Sequence, residues 1–127
     1  MCLTKVSKRK PKASGYEWKW FRAVEPEFVQ TPLWCTTLRI GDWVAATVGY
    51  PIWIRTNCYI YYTSGFHIYT RKGDALRSGW ANNMMLHRVQ YRKAHTAGWG
   101  DGMYLDKAPQ VIAGEMRVLP LPRRKGK

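Results

Sequence analysis

The stretch Tyr59-Ile60-Tyr61-Tyr62-Thr63-Ser64-Gly65-Phe66-His67-Ile68-Tyr69-Thr70-Arg71-Lys72-Gly73-Asp74-Ala75-Leu76 holds the densest aromatic cluster of the chain. Its first residues are strand formers, Ser64-Gly65 is a turn signal, and His67 and Tyr69 return as a short strand. Asp74 then stands where a helix would take its N-cap. The stretch predicts a hairpin followed by a helix, and that unit predicts an α+β domain: a small, mostly antiparallel β-sheet with one short helix after the central hairpin.

The flanking segments supply the other strands. On the N-terminal side, residues 16–24 alternate, with Trp18 and Trp20 on one face, and Pro26 ends the run. Residues 33–40 and 52–55 are strand-rich, and 43–48 suits a strand or a short helix. On the C-terminal side, the helix is expected over 72–82, weakened by Gly73 and Gly79. Residues 84–94 then alternate as a long strand that places Leu86, Arg88, Gln90 and Arg92 on one side. Met85, His87, Val89, Tyr91 and Lys93 fall on the other. Gly98, Gly100 and Gly102 predict a mobile loop carrying Trp99, and residues 111–119 read as the closing strand before Pro120 and Pro122.

A chain of 127 residues is long enough for one hydrophobic core. The boundaries expected are a basic N-terminal tail over 1–15, one α+β domain over 16–121 and a basic C-terminal tail over 122–127. No apolar run is long enough to span a bilayer, and the first residues lack a secretory core, so a soluble, intracellular, non-secreted protein is expected. The three cysteines show no short metal-type spacing, and neither a metal nor a cofactor is expected.

The net charge is +13, and it gathers at the ends: Lys5, Lys8, Arg9, Lys10 and Lys12 at one, Arg123, Arg124, Lys125 and Lys127 at the other, leaving +4 between them. Such ends suit an anionic partner, because each phosphate neutralised releases counterions. Within the domain, basic residues interleave with aromatic ones at Trp18-Lys19-Trp20-Phe21-Arg22, Tyr69-Thr70-Arg71-Lys72 and Tyr91-Arg92-Lys93, a pattern that can stack bases and hold phosphates. The nucleic-acid-binding residues expected are therefore Lys8, Arg9, Lys10, Lys12, Arg71, Lys72, Arg92, Arg123, Arg124 and Lys125. A candidate pocket is formed by His67, Tyr69, Trp99 and Glu115. Eight acids offer little for paired-carboxylate chemistry, and no nucleophile–base arrangement is legible.

Met1-Cys2-Leu3, Lys10-Pro11, Ile40-Gly41-Asp42-Trp43, Gly65-Phe66-His67, Asp74-Ala75 and Ala113-Gly114-Glu115-Met116-Arg117-Val118-Leu119 together resemble a group of small proteins encoded by phages, prophages and gut Bacteroidetes. That resemblance implies an accessory protein and no established activity. Gly65-Phe66-His67, Ala75 and Glu115 are also similar, at the level of fold, to the ADP-ribosyltransferase pattern. The first strand offers no His-Gly or Arg-Gly motif for its nicotinamide. The function expected is a non-enzymatic phage-type accessory protein that binds nucleic acid, DNA or RNA, or a nucleoprotein or virion assembly through its basic tails. The alternatives are a module for a phage or host protein partner and a degenerate nucleotide-binding domain of the transferase type.

Overall fold

The computed structural model describes residues 3–31, 37–46, 51–54, 57–77, 84–100 and 108–121, with the backbone alone for 4, 51–54, 57–61, 63 and 77. Among the described residues, ten strands run in chain order. They are β1 (Leu3–Val6), β2 (Gly15–Glu25), β3 (Phe28–Gln30), β4 (Thr37–Arg39), β5 (Val44–Ala45), β6 (Pro51–Ile54), β7 (Asn57–Thr63), β8 (Phe66–Tyr69), β9 (Met84–Gly100) and β10 (Pro109–Val118). The one helix described, α1 (Lys72–Arg77), has six residues. The fold is all-β, which corrects the expected α+β class. One and a half turns of helix cover a patch of sheet but cannot form a layer.

Strand β9 organises the molecule. Its first half pairs with β2 from Met84↔Arg22 to Tyr91↔Gly15, and its far end pairs with β1. Its opposite edge pairs with β10 from Val89↔Val118 to Trp99↔Pro109. Strand β10 in turn pairs with β8, and β8 reaches β2 through Trp18↔Tyr69, so β2, β9, β10 and β8 form a closed antiparallel circuit. A straight strand of 17 residues would run on the order of 55 Å, too far for so small a ring. The chain bends instead where Lys93 adopts φ 58° and where one extra residue enters β9 between Ala94 and Thr96, opposite the Ile112–Ala113 step. Alternation also slips near this place along β10, where Val111 and Ala113 join the main core two residues apart and Met116 and Val118 follow after a gap of three.

The ring encloses the main core, in which Phe21, Ile68, Val89, Tyr91, Val111 and Met116 meet Val29 and Leu38 from the β3–β4 extension. Two smaller clusters lie on the outside. Tyr69, Ala75 and Ala108 pack with Trp18, Trp20 and Leu86 beneath α1, where the Trp20 indole donates to the Ala75 carbonyl at 2.7 Å. Leu3, Tyr62 and Ile112 form the other.

The central hairpin does not form. Strand β7 pairs with β6 as a separate ribbon, while β8 joins β10, so Ser64-Gly65 is a corner between two sheets. Gly65 makes the corner feasible: a Cβ there would lie 2.7 Å from the Ala113 carbonyl oxygen and 2.8 Å from Ile112 Cγ2. The helix begins before Asp74, since the Ala75 amide already donates to the Arg71 carbonyl; Asp74 is a buried first-turn residue, not the cap. Leu76 is 55% exposed, and residues 78–82 of the expected helix lie outside the described residues. Of the expected glycine loop, Gly98, Trp99 and Gly100 belong to β9. Gly98 is buried so closely against β1 that an added Cβ would collide with the Lys5 carbonyl, while residues 101–102 lie outside the described residues.

The basic N-terminal segment is likewise more than a tail. Leu3 is fully buried in β1, and the segment after it is pinned to β9 at two points. The Ser7 amide donates to the Ala97 carbonyl at 2.7 Å, and the Ala94 amide donates to the Ala13 carbonyl at 3.0 Å. Residues 8–12 are therefore a loop anchored at both feet, spanning the bulge of β9.

Candidate nucleic-acid interface

Period-two alternation decides which side chains leave the ring. On β9, His87, Val89 and Tyr91 are buried while Arg88 and Arg92 are exposed and Gln90 is half-buried between them. Cross-strand register extends this outer face over three more strands. Trp18 lies opposite Arg88 and Tyr16 opposite Gln90 on one side; Arg117 lies opposite Gln90 and Glu115 opposite Arg92 on the other. Glu115 and Met116 pair with Ala45 and Val44, which brings the preceding Trp43 beside Arg117.

Cations and rings alternate across this face. The Arg92 guanidinium lies 3.9 Å from the centroid of the Trp43 ring and that of Arg117 5.3 Å from it. Arg88 is 5.6 Å from the Tyr16 centroid and 5.8 Å from that of Trp18, and Lys72 reaches Trp18 from α1 at 4.8 Å. Each such pair at an exposed site contributes only ~0.5–1 kcal/mol, so these pairs do more to orient the cations than to hold the fold. Side-chain hydrogen bonds fix them further: Arg117 Nε donates to Gln90 Oε1 at 2.7 Å, and Arg92 Nε donates to Glu115 Oε1 at 2.5 Å. Lys93 Nζ also meets the Glu115 carboxylate, at 2.6 Å, and these two charged donors hold that carboxyl below the usual range. With Lys72, Arg88, Arg92, Lys93 and Arg117 against Glu115, the face is strongly positive. The basic loop adjoins it, because its second foot leads directly into Gly15 and Tyr16.

The expected site residues separate accordingly. Lys8, Arg9, Lys10 and Lys12 are exposed on the anchored loop. Lys72 and Arg92 are in the cation–ring face, and Arg71 is exposed beside Lys72. Arg123, Arg124 and Lys125 lie outside the described residues. The candidate pocket is not assembled. Tyr69 is fully buried beneath α1, Glu115 is engaged by Arg92 and Lys93, and Trp99 has Lys5 over its ring at 5.4 Å. His67 turns to Tyr62, not Tyr69: the Leu3 amide donates to the Tyr62 hydroxyl at 3.0 Å, and that hydroxyl stands 2.8 Å from His67 Nε2. Burial and the nearby Lys19 ammonium depress the His67 pKa to about 3, so the imidazole is neutral and Nε2 accepts a hydrogen bond donated by the Tyr62 hydroxyl.

Arg88, Arg117, Tyr16 and Trp43 were not among the expected binding residues. The alternation of residues 84–94 already places Arg88 beside Arg92, and spacing two apart links Tyr16 to Trp18. Trp43 carries no comparable signal, because only the β5–β10 pairing brings it to the face.

Inside the ring, Lys19 is 5% exposed, and its ammonium donates to the His67 carbonyl at 2.7 Å. This bond bridges β2 and β8 where the circuit closes through a single residue pair. Burial lowers the Lys19 pKa to about 8. No group of three or more potential metal ligands occurs among the described residues, nor is any helix there long and apolar enough to cross a membrane.

Comparison with models of known protein families, with curated proteins and with solved structures finds no match to this chain.

Proposed function

We propose that this protein binds nucleic acid without catalysing a reaction, using the outer face of β2, β9 and β10 together with the anchored loop. The observation that carries this reading is the alternation of cations and aromatic rings across that face, from Lys72 and Trp18 through Arg88 and Tyr16 to Arg117, Trp43 and Arg92. Guanidinium groups held in place over rings keep donors free for phosphate oxygens, and ordering them in advance reduces the entropy lost on binding. The loop adds four exposed cations at the edge of the same surface. The resemblance to small phage and prophage proteins suggests the setting, an accessory factor acting on nucleic acid or a nucleoprotein assembly.

The test is fluorescence anisotropy with labelled oligonucleotides over a salt series. Each neutralised phosphate contributes a slope of roughly −0.7 (single strand) to −0.9 (duplex) in log K against log salt concentration. Replacing Lys8, Arg9 and Lys10 by Gln together should make the slope shallower by roughly 2 to 3. Charge reversal at Arg88 should weaken binding further. Affinity that ignores ionic strength, or that survives both changes, overturns the reading.

A further inference from the structure

The outer face has two aromatic ends joined by one cross-strand row. Tyr16 on β2 is opposite Gln90 on β9, Gln90 is opposite Arg117 on β10, and Trp43 follows beside Arg117. The two rings therefore stand about three interstrand spacings of ~4.8 Å apart, with a guanidinium between them. Tyr16 is 48% exposed, fractionally the most exposed aromatic side chain among the described residues, and Arg88 lies over its ring.

We infer that the ligand of this face is single-stranded nucleic acid, whose unpaired bases stack on Tyr16 and on the Trp43–arginine platform while its phosphates meet Arg88, Arg117 and the loop. This rests on the nucleic-acid reading above and narrows it. A duplex offers phosphates to such a face but keeps its bases stacked on one another, so the rings would go unused. An unpaired strand uses both features, and stacking accepts any base, which predicts weak sequence preference. Insertion into a duplex groove needs a projecting helix or ribbon, whereas the cations and rings named above are carried by the main sheet and the six-residue α1, and none of them by the β6–β7 ribbon.

The experiment compares three probes at one low salt concentration with the full chain: oligothymidylate of roughly 12 nucleotides, an abasic strand of the same length, and a duplex of the same length. Oligothymidylate should bind at least about ten-fold more tightly than either other probe, and binding should quench tryptophan fluorescence. Tyr16→Leu should weaken oligothymidylate about 5- to 150-fold, the range carried by one stacked base, and leave the duplex unchanged. Tyr16→Phe, which keeps the ring, should restore affinity, and unchanged melting temperatures would show that both variants fold. Equal affinity for the abasic strand or the duplex, or indifference to Tyr16→Leu, overturns the inference while leaving salt-dependent binding intact. Failure of all three probes to bind overturns the parent reading as well.

Discussion

Lys19→Met offers the sharpest test of how the ring closes. The native ammonium is buried among β2, β8 and β9, and its pKa falls to about 8 from an ordinary value of 10.5. The native state therefore binds fewer protons than the unfolded chain between those two values, so stability must rise with pH across that interval. From pH 7 to pH 10 this group alone should add about 2 to 3 kcal/mol, since each pKa unit corresponds to about 1.4 kcal/mol. Loss of positive charge from surface lysines acts in the same direction, and the variant isolates the buried contribution. Methionine matches the lysine stem in length and needs no solvation, but it leaves the His67 carbonyl without the 2.7 Å bond, at a cost of about 1 to 3 kcal/mol. Urea unfolding of both proteins at pH 7, 8, 9 and 10 is the assay. The parent should gain stability steadily and the variant should gain about 2 kcal/mol less. Parallel pH profiles would refute the buried, charged lysine at the β2–β8 seam.

Three further outcomes follow from particular contacts. Gly65→Ala should destabilise by about 1 to 3 kcal/mol, because its Cβ meets the backbone of β10; Gly73→Ala, with open space around it, should stabilise by about 0.5 to 1 kcal/mol, and thermal melts check both. The His67 pKa is depressed to about 3, so its stabilising neutrality is present above pH 6.5 and is lost as pH falls from there toward 3; a His67→Leu variant should lose less stability on acidification than the parent, followed by chemical denaturation at pH 7, 6, 5 and 4. Glu115→Gln frees Arg92 and Lys93 from their shared carboxylate, so oligonucleotide affinity should rise and the salt slope should steepen by up to roughly one phosphate.

Much of this protein was legible as pattern. Strict alternation in 84–94 sorted Arg88, Gln90 and Arg92 from His87, Val89 and Tyr91, and the structure buries and exposes them in that division, because side-chain direction in a strand is a local property. The closing strand over 111–119 and the strand over 16–24 were equally clear, within two residues of β10 and β2 at each end. The abundance of cations and rings was evident as composition. What residue order could not convey was pairing. Ser64-Gly65 has the chemistry of a hairpin turn, yet β8 leaves β7 for β10, since Phe66 and Ile68 bury themselves in the ring only there. The glycines at 98 and 100 look like a loop, yet they are strand residues because β1 approaches too closely for a side chain at Gly98. The N-terminal cations are pinned by backbone bonds from Ser7 and to Ala13 that no side-chain pattern announces. Sequence alone determined a basic, aromatic, strand-rich chain and the faces of its individual strands. Only the tertiary structure decided that those faces join into one surface, because that depends on which distant strands share hydrogen bonds.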